Sequence, residues 1–315
     1  MCQGGPLAGP AILAAPSVLL NKIAGHRLPL IPMLKASDAP AWYAIPPGSR
    51  VMGSYRAPAS FAGCVRSAFE WHNETLNIHT HLWPGLYVLY RLLTIRDETL
   101  YLNASDDARF CILSGLFGSA ALFLASAVAH TFCILNQRVF QVCWTLDFMS
   151  IVLVNLSHQF LDSFLLFKII LGSRILFVAA LTIEAAFALH CLWQIGTLPD
   201  TGPYWGLMYP LISSVGLTPI LVIAASRSEA ILVKCSTASA MCSVMILIAG
   251  GVFFKGRVPE VLCNPRGIFD TVNSHVWHHV CIAASIFAAM EAMPLLWQLE
   301  YREMPKLSTT VPWGT

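Results

Sequence analysis

Seven separate stretches of roughly 20 mostly apolar residues, the length an α-helix needs to cross a bilayer, constrain this chain more than any other feature. They run from about Leu76 to Ile95, Cys111 to Leu135, Val139 to Phe160, Ile169 to Trp193, Tyr204 to Ala225, Ala230 to Phe254 and Asn273 to Gln298. The connections are short, so consecutive helices are expected to be antiparallel neighbours. The expected fold is an all-α membrane protein, a seven-helix transmembrane bundle over residues 73–299. A head at 1–72, mostly loop with short or interfacial helices, precedes it, and a short tail at 300–315 follows.

Composition agrees. Of 315 residues, 56% are hydrophobic and only 11% charged, against about 25% charged in an ordinary soluble domain; mean hydropathy is +0.64. That excludes a water-soluble enzyme and a disordered chain. A net charge of +2 gives no electrostatic footprint for nucleic acid. Ten cysteines are scattered without a C-x-x-C pair and fall mostly in apolar stretches. They read as small buried hydrophobes rather than a disulfide framework. The apolar run Ala11 to Leu20 is broken by Pro16, is too short to span and lacks a basic leader, so a loop or surface-lying segment is expected.

Counting every Lys and Arg splits them ten to nine between the two sides and decides no orientation. The head alone carries Lys22, Arg27, Lys35, Arg50, Arg56 and Arg66, which predicts a cytosolic N-terminus by the positive-inside rule. Asn103-Ala-Ser105, a glycosylation-type triplet, then lies on the opposite side. Trp83, Trp193 and Trp205 sit near span ends as interfacial belt residues, and Pro210, Pro219 and Pro294 mark kinks.

Ionisable residues inside a bilayer are costly and mark sites. His130 ends the second span, Asp147 lies in the first half of the third, and His275, His278 and His279 open the seventh. Serpentine connectivity brings these to one membrane face, together with Glu74, Asn77 and His81 at the start of the first span. From the expected helix ends, at 1.5 Å per residue, His130 lies roughly 8 Å deep and Asp147 roughly 12 Å. His275 and His279 share a helical face. Two such imidazoles and a third from a neighbouring helix make a three-histidine site of the kind zinc takes, with Asp147 placed to hydrogen-bond a water. His278, three residues from His275, fits as well as His279. The competing reading is that these histidines are satisfied by interhelical hydrogen bonds. Glu184 and Glu291 read as hydrogen-bonded partners of polar groups on adjacent helices.

From about Trp42 to His279 the chain resembles the progestin and adiponectin-Q receptor family, also called haemolysin III, in its fungal-type form. Three motifs carry the resemblance: Glu74-x-x-Asn77-x-x-x-His81; Ser126-x-x-x-His130 followed 17 residues later by Leu146-Asp147-Phe148; and Pro259-Glu260 leading through Phe269-Asp270 to Ser274-His275-x-x-x-His279. Tyr55-Arg56 ahead of the first span also fits. The resemblance implies seven helices, a cytosolic N-terminus and zinc near the cytosolic face, with His130, His275 and His279 as ligands. It implies Asp147 on the zinc-bound water with Ser126 beside it, and Glu74, Asn77 and His81 packing and hydrogen-bonding nearby. Met149-Ser150, Asn155-Leu156-Ser157-His158, Val276, Trp277, His278 and Asn273 depart from the family's usual pattern. These departures leave the ligands intact and bear on substrate choice.

Three functions follow as expectations. One is a zinc-dependent hydrolase of a lipid amide or ester, ceramide-like, with Asp147 accepting the water's proton and Ser126 steadying the oxyanion. Another is a lipid-homeostasis receptor with structural zinc. The third is a membrane-bound terpene cyclase of fungal secondary metabolism, using aromatic faces to steady a carbocation and a protonated Asp147, Glu184 or Glu291 to open an epoxide. In each case the small-molecule partner is a membrane lipid or isoprenoid. The location is multi-pass in the plasma membrane or the endoplasmic reticulum.

Overall fold

The computed structural model describes residues 31–43, 51–197, 244–245, 248–264 and 267–303. Within them the fold is mostly helical. Two short strands, β1 (Met33–Leu34) and β2 (Tyr55–Arg56), pair antiparallel, Met33 with Arg56 and Leu34 with Tyr55. The helices are α1 (Phe61–Ser67), α2 (Thr75–Thr94), α3 (Asp106–Phe132), α4 (Gln137–Ser163), α5 (Arg174–Thr197) and α6 (Ser274–Glu303). Single turns at Ile95–Asp97 and Thr99–Leu102 join α2 to α3, and π-helical turns occupy Phe164–Ile170 and Ala249–Lys255.

Among the described residues, three helical segments are long and apolar enough to cross a membrane, Asp106–Phe132, Gln137–Lys168 and Arg174–Trp193. The expected fifth span, most of the sixth, the Ala11 to Leu20 run, Trp205, Pro210, Pro219 and the side chains of Glu291 and Pro294 lie outside the described residues.

The helix ends differ from those expected, for local reasons. Helix α3 begins five residues before Cys111, inside a charged segment. There the Ser105 hydroxyl accepts from Ala108 N at 3.2 Å, and Asp106 and Asp107 sit in the first turn, where the helix dipole favours them. Lys168 Nζ (2.8 Å) and Arg174 Nε (3.1 Å) then pair with Asp107. This ties the far ends of three helices together at a polar rim. Helix α4 runs past Phe160 into the π-helical turn. Gly172, at φ +63°, reverses the chain before α5 starts at Arg174 rather than Ile169.

In lipid the gain on association comes from packing rather than from water release. A Cβ on Gly118 of α3 would lie 3.1 Å from the Val154 Cα of α4 and would overlap Ser157. One on Gly85 of α2 would lie 2.8 Å from Leu124 of α3. Glycine at these two points lets the backbones approach. The interior holds Phe123, Leu116, Phe164 and Phe177, each almost fully buried. Trp83, Leu93, Ile175, Ile183 and Trp193 are instead exposed, the inversion expected where the surroundings are acyl chains.

The segment before α2 packs on the same end of the bundle. Tyr43, Val51, Tyr55 and Cys64 form an apolar cluster with Cys133 and Ile134 just past α3. Arg56 is fully buried at its edge. The seven described cysteines form no disulfide with one another, and Cys64, Cys111, Cys133 and Cys143 are buried.

Candidate metal centre

The end of α3 and the starts of α2 and α6 meet under the head, and each is fixed by its own side chains. Arg56 reaches the C-terminal turn of α3: Nη2 donates to the His130 carbonyl (2.6 Å), and Nη1 to the Thr131 carbonyl (3.1 Å) and Ser67 Oγ (2.8 Å). The last carbonyls of a helix have no partner within it, so a buried guanidinium takes their place. Helix α6 is held at its first turn. Asn273 Oδ1 accepts from His275 N (3.0 Å) and Val276 N (3.3 Å), while the Glu260 carboxylate accepts from Ser274 N (2.8 Å) and Ser274 Oγ (2.5 Å). Asp270 couples this loop to the head by accepting from Met52 N at 2.9 Å.

These anchors bring the rings of His130, His275 and His279 together, with centroids 4.6 to 5.1 Å apart. One ligand atom from each lies within 4.8 Å of the others. The Nε2 atoms of His130 and His275 are 3.3 Å apart. That is about the edge of a tetrahedron with metal–nitrogen bonds of roughly 2.0–2.1 Å.

The tautomers follow from the partners. His130 Nδ1 is 2.8 Å from the Glu74 Oε2, and His279 Nδ1 is 3.2 Å from the Asn77 carbonyl. A carboxylate and a carbonyl only accept, so both Nδ1 atoms carry a proton, and each ring turns its Nε2 towards the centre, able to offer a lone pair to a metal when the ring is neutral. This is the backing that orients metal-binding imidazoles, and on it the three residues fit a zinc ion. Glu74 is itself held, by Asn77 Nδ2 at 2.7 Å and Asn73 Nδ2 at 2.9 Å. His81 stacks on His279 at 3.7 Å, with both ring nitrogens unpartnered among the described residues. His278 turns aside, its Nδ1 donating to the Ala249 carbonyl at 3.1 Å.

His130 lies two residues before the end of α3, and Asp147 ten residues into α4. Depth counted from helix ends thus differs more between them than expected, because α3 ends three residues before Leu135 and α4 starts two residues before Val139. Asp147 is buried, with Ser126 beside its carboxyl. Both line a cavity with His275 and His279. Trp144, one turn before Asp147, sets its edge against His130 (5.4 Å) and His275 (6.2 Å). Phe254 flanks His275 at 6.1 Å. Neither aromatic stood out in the sequence; for Trp144 the available signal was its three-residue spacing from Asp147. Outside the span, His72 is fully buried. Its Nε2–H donates to the Ser67 carbonyl (2.8 Å) and its Nδ1 accepts from Glu74 N (3.0 Å). Burial holds it neutral down to about 3. Glu184, on α5, accepts from Ser163 Oγ at 2.5 Å, away from this centre.

Residues 69–290 match the family described as haemolysin-III related. The chain is 28% identical over 256 residues to the mouse protein named membrane progestin receptor delta, covering 77% of this chain and 73% of that one. It is 28% identical to mouse membrane progestin receptor gamma over 78% and 76% of the two chains, and 25% identical to heptahelical transmembrane protein 1 of Arabidopsis thaliana over 76% and 75%. With the family match covering most of the chain and the apolar helices described above, this is an integral, multi-pass membrane protein of the haemolysin III-related family.

Proposed function

We propose that His130, His275 and His279 hold a zinc ion, and that the chain is a zinc-dependent hydrolase of lipid amides or esters of the ceramide type. In this reading seven spans follow the head at 1–72, the N-terminus is cytosolic and the tail at 300–315 lies outside the bundle. One observation carries the reading: three inward-facing imidazoles stand beside a buried carboxylic acid at the end of an apolar cavity. A zinc ion there would supply Lewis-acid polarisation of an acyl carbonyl and of the attacking water. The chain's own groups do the rest. An Asp147 oxygen takes the proton of the water as its oxygen bonds to the acyl carbon. The same oxygen returns that proton to the leaving amine or alcohol as the C–N or C–O bond breaks. Ser126 orients Asp147. Trp144, Phe148 and Ile151 keep bulk water from the reacting groups.

The cavity leaves about 60 Å³ to the centres of water-sized atoms. Its largely apolar lining suits an acyl chain. The names of the progestin receptor relatives favour a second reading, a lipid receptor with structural zinc. Purified protein loaded with zinc and offered ceramide separates the two. Hydrolysis is expected, with Asp147→Asn lowering the rate about 10²- to 10⁴-fold at unchanged zinc content and thermal midpoint. Absence of turnover in the zinc-loaded parent on both N-acyl and ester lipids overturns the hydrolase and leaves the receptor.

A further inference from the structure

The cavity is polar at two ends, and only one of them belongs to the histidine centre. On α4 the lining residues include Asp147, Ile151, Val154, Asn155 and His158, offsets of 0, 4, 7, 8 and 11 that keep to one helical face, with Trp144 and Phe148 towards the histidine end. On α6 they are His275, His278, His279, Ile282, Ser285 and Ile286, again one face. Both helices start at the metal end, so position along each measures distance from it. His158 lies 11 residues beyond Asp147, and Ser285 lies 10 beyond His275; at 1.5 Å per residue both sit roughly 15 to 16 Å deeper. Between the two ends the walls are Leu122, Phe148, Ile151, Val154, Ile282 and Ile286, without a polar side chain among them.

The deep end bears a cost. His158 Nε2 is out of contact with solvent and has no hydrogen-bond partner among the described residues. A buried ring nitrogen in this state has given up its hydrogen bond to water and regains one only if something pairs with it. Asn155 lies one turn earlier on the same face, its Nδ2 donating to the Ile151 carbonyl at 2.6 Å.

From this we infer that His158, with Asn155 and Ser285, is a second recognition point that hydrogen-bonds a distal polar group of the ligand. The ligand class is an unbranched chain with a polar head at the histidine end and a hydroxyl or carbonyl about 12 to 14 carbons away, at about 1.25 Å advance per C–C bond. His158 acts as a specificity-determining residue and takes no part in bond breaking. The inference rests on the proposed function only in placing the head at the histidines.

The test compares tetradecanoic acid with 14-hydroxytetradecanoic acid by calorimetric titration of the full chain in lipid nanodiscs. The hydroxylated chain should bind about ten-fold more tightly, since the deep nitrogen is left unpaired by the plain acid. His158→Leu should abolish that preference while binding tetradecanoic acid at least as well as the parent. His158→Gln, which keeps a donor and an acceptor, should retain part of it. Equal binding of the two acids by the parent overturns the inference, as does a preference that survives His158→Leu, or no binding of either acid. His275→Ala separates the two readings: loss of zinc without loss of the preference leaves the deep site standing, and a preference with no ceramide turnover leaves it standing while the hydrolase falls.

Discussion

Replacing Glu74 by Gln changes almost no volume and removes one charge, at the atom that decides which nitrogen of His130 faces the centre. The carboxylate accepts three hydrogen bonds, from His130 Nδ1 and Asn77 Nδ2 at Oε2 and from Asn73 Nδ2 at Oε1. A glutamine carbonyl placed at the Oε2 position keeps the first two. Its amide then meets Asn73 Nδ2, and the conflict resolves if Asn73 turns over and offers Nδ2 to the Tyr43 hydroxyl, now 3.3 Å from its Oδ1. The local network therefore survives, and folding should change by no more than about 1 kcal/mol. The bond to His130 does not survive at full strength. A neutral acceptor is worth about half of an ionised one, and it no longer raises the basicity of Nε2. Loss of such backing lowers metal affinity about 10- to 100-fold, or roughly 1.4 to 2.7 kcal/mol. Competition between the purified protein and a chromogenic zinc chelator reads this directly, and a thermal melt of the metal-stripped protein reports folding. Zinc affinity within two-fold of the parent would refute the argument that the carboxylate sets the tautomer of His130. A large loss of metal-free stability would show that the network does not rearrange as described.

Two further outcomes follow from the head. Arg56→Met leaves the His130 and Thr131 carbonyls and Ser67 Oγ without their buried donor; bonds from a charged donor are worth about 1.5–3 kcal/mol each when broken. A fall of about 3 kcal/mol is expected by thermal unfolding in detergent, with only partial recovery in Arg56→Lys, whose ammonium cannot span the fork; an unchanged midpoint in Arg56→Met rejects the capping role. His72 gives the pH dependence. Its folded pKa, about 3, lies below the unfolded value of about 6.5. Protons therefore favour the unfolded chain, stability from this group is complete above about 6.5, and it declines as pH falls towards 3. Between pH 7.5 and 5.5 the loss should be about 1.4 kcal/mol. His72→Gln should be less stable at neutral pH yet lack this portion of the acid slope, and an identical slope in both proteins would exclude His72 as its source.

Much of the site was legible because a membrane makes polarity conspicuous. His130, Asp147, His275 and His279 stand out against apolar neighbours, and serpentine order already puts them on one face. What could not be read was how each residue is held. Helix ends set by apolar content missed Ser105 and the paired Asp106 and Asp107, because capping and the dipole extend a helix into charged sequence. The depth comparison of His130 with Asp147 suffered in part from the same cause, at the Asn136-capped start of α4, and in part because α3 ends before its apolar stretch does. The choice between His278 and His279 stayed open on spacing, since offsets of three and four share a face. In the structure His278 is engaged by the Ala249 carbonyl and His279 turns towards His130. Arg56 read as a positive charge of the head and as half of the Tyr55-Arg56 pair, and only the folded chain places its guanidinium on the carbonyl of a histidine 74 residues away.

The bland account of these histidines, that each is satisfied by a neighbouring helix, meets a specific difficulty. His130 and His279 are satisfied on the Nδ1 side by acceptors, Glu74 and the Asn77 carbonyl. With both rings neutral, as metal binding requires, that choice turns an Nε2 lone pair of each inward. His275 can donate one proton to His130 across their 3.3 Å contact, which answers one lone pair and leaves the other. His81, pressed between His279 and Phe123, adds two unpartnered nitrogens. A buried cluster that needs only hydrogen bonds would gain by reversing one ring, so that an N–H faces a lone pair. The acceptors at Glu74 and Asn77 forbid that reversal for the two rings they hold. Several lone pairs converging in low dielectric repel one another unless a cation lies among them, and the same acceptors that create this repulsion are those that strengthen a metal bond. The acceptors that would set these lone pairs against one another would also strengthen a bond to a divalent cation, and that is what supports the proposed metal site.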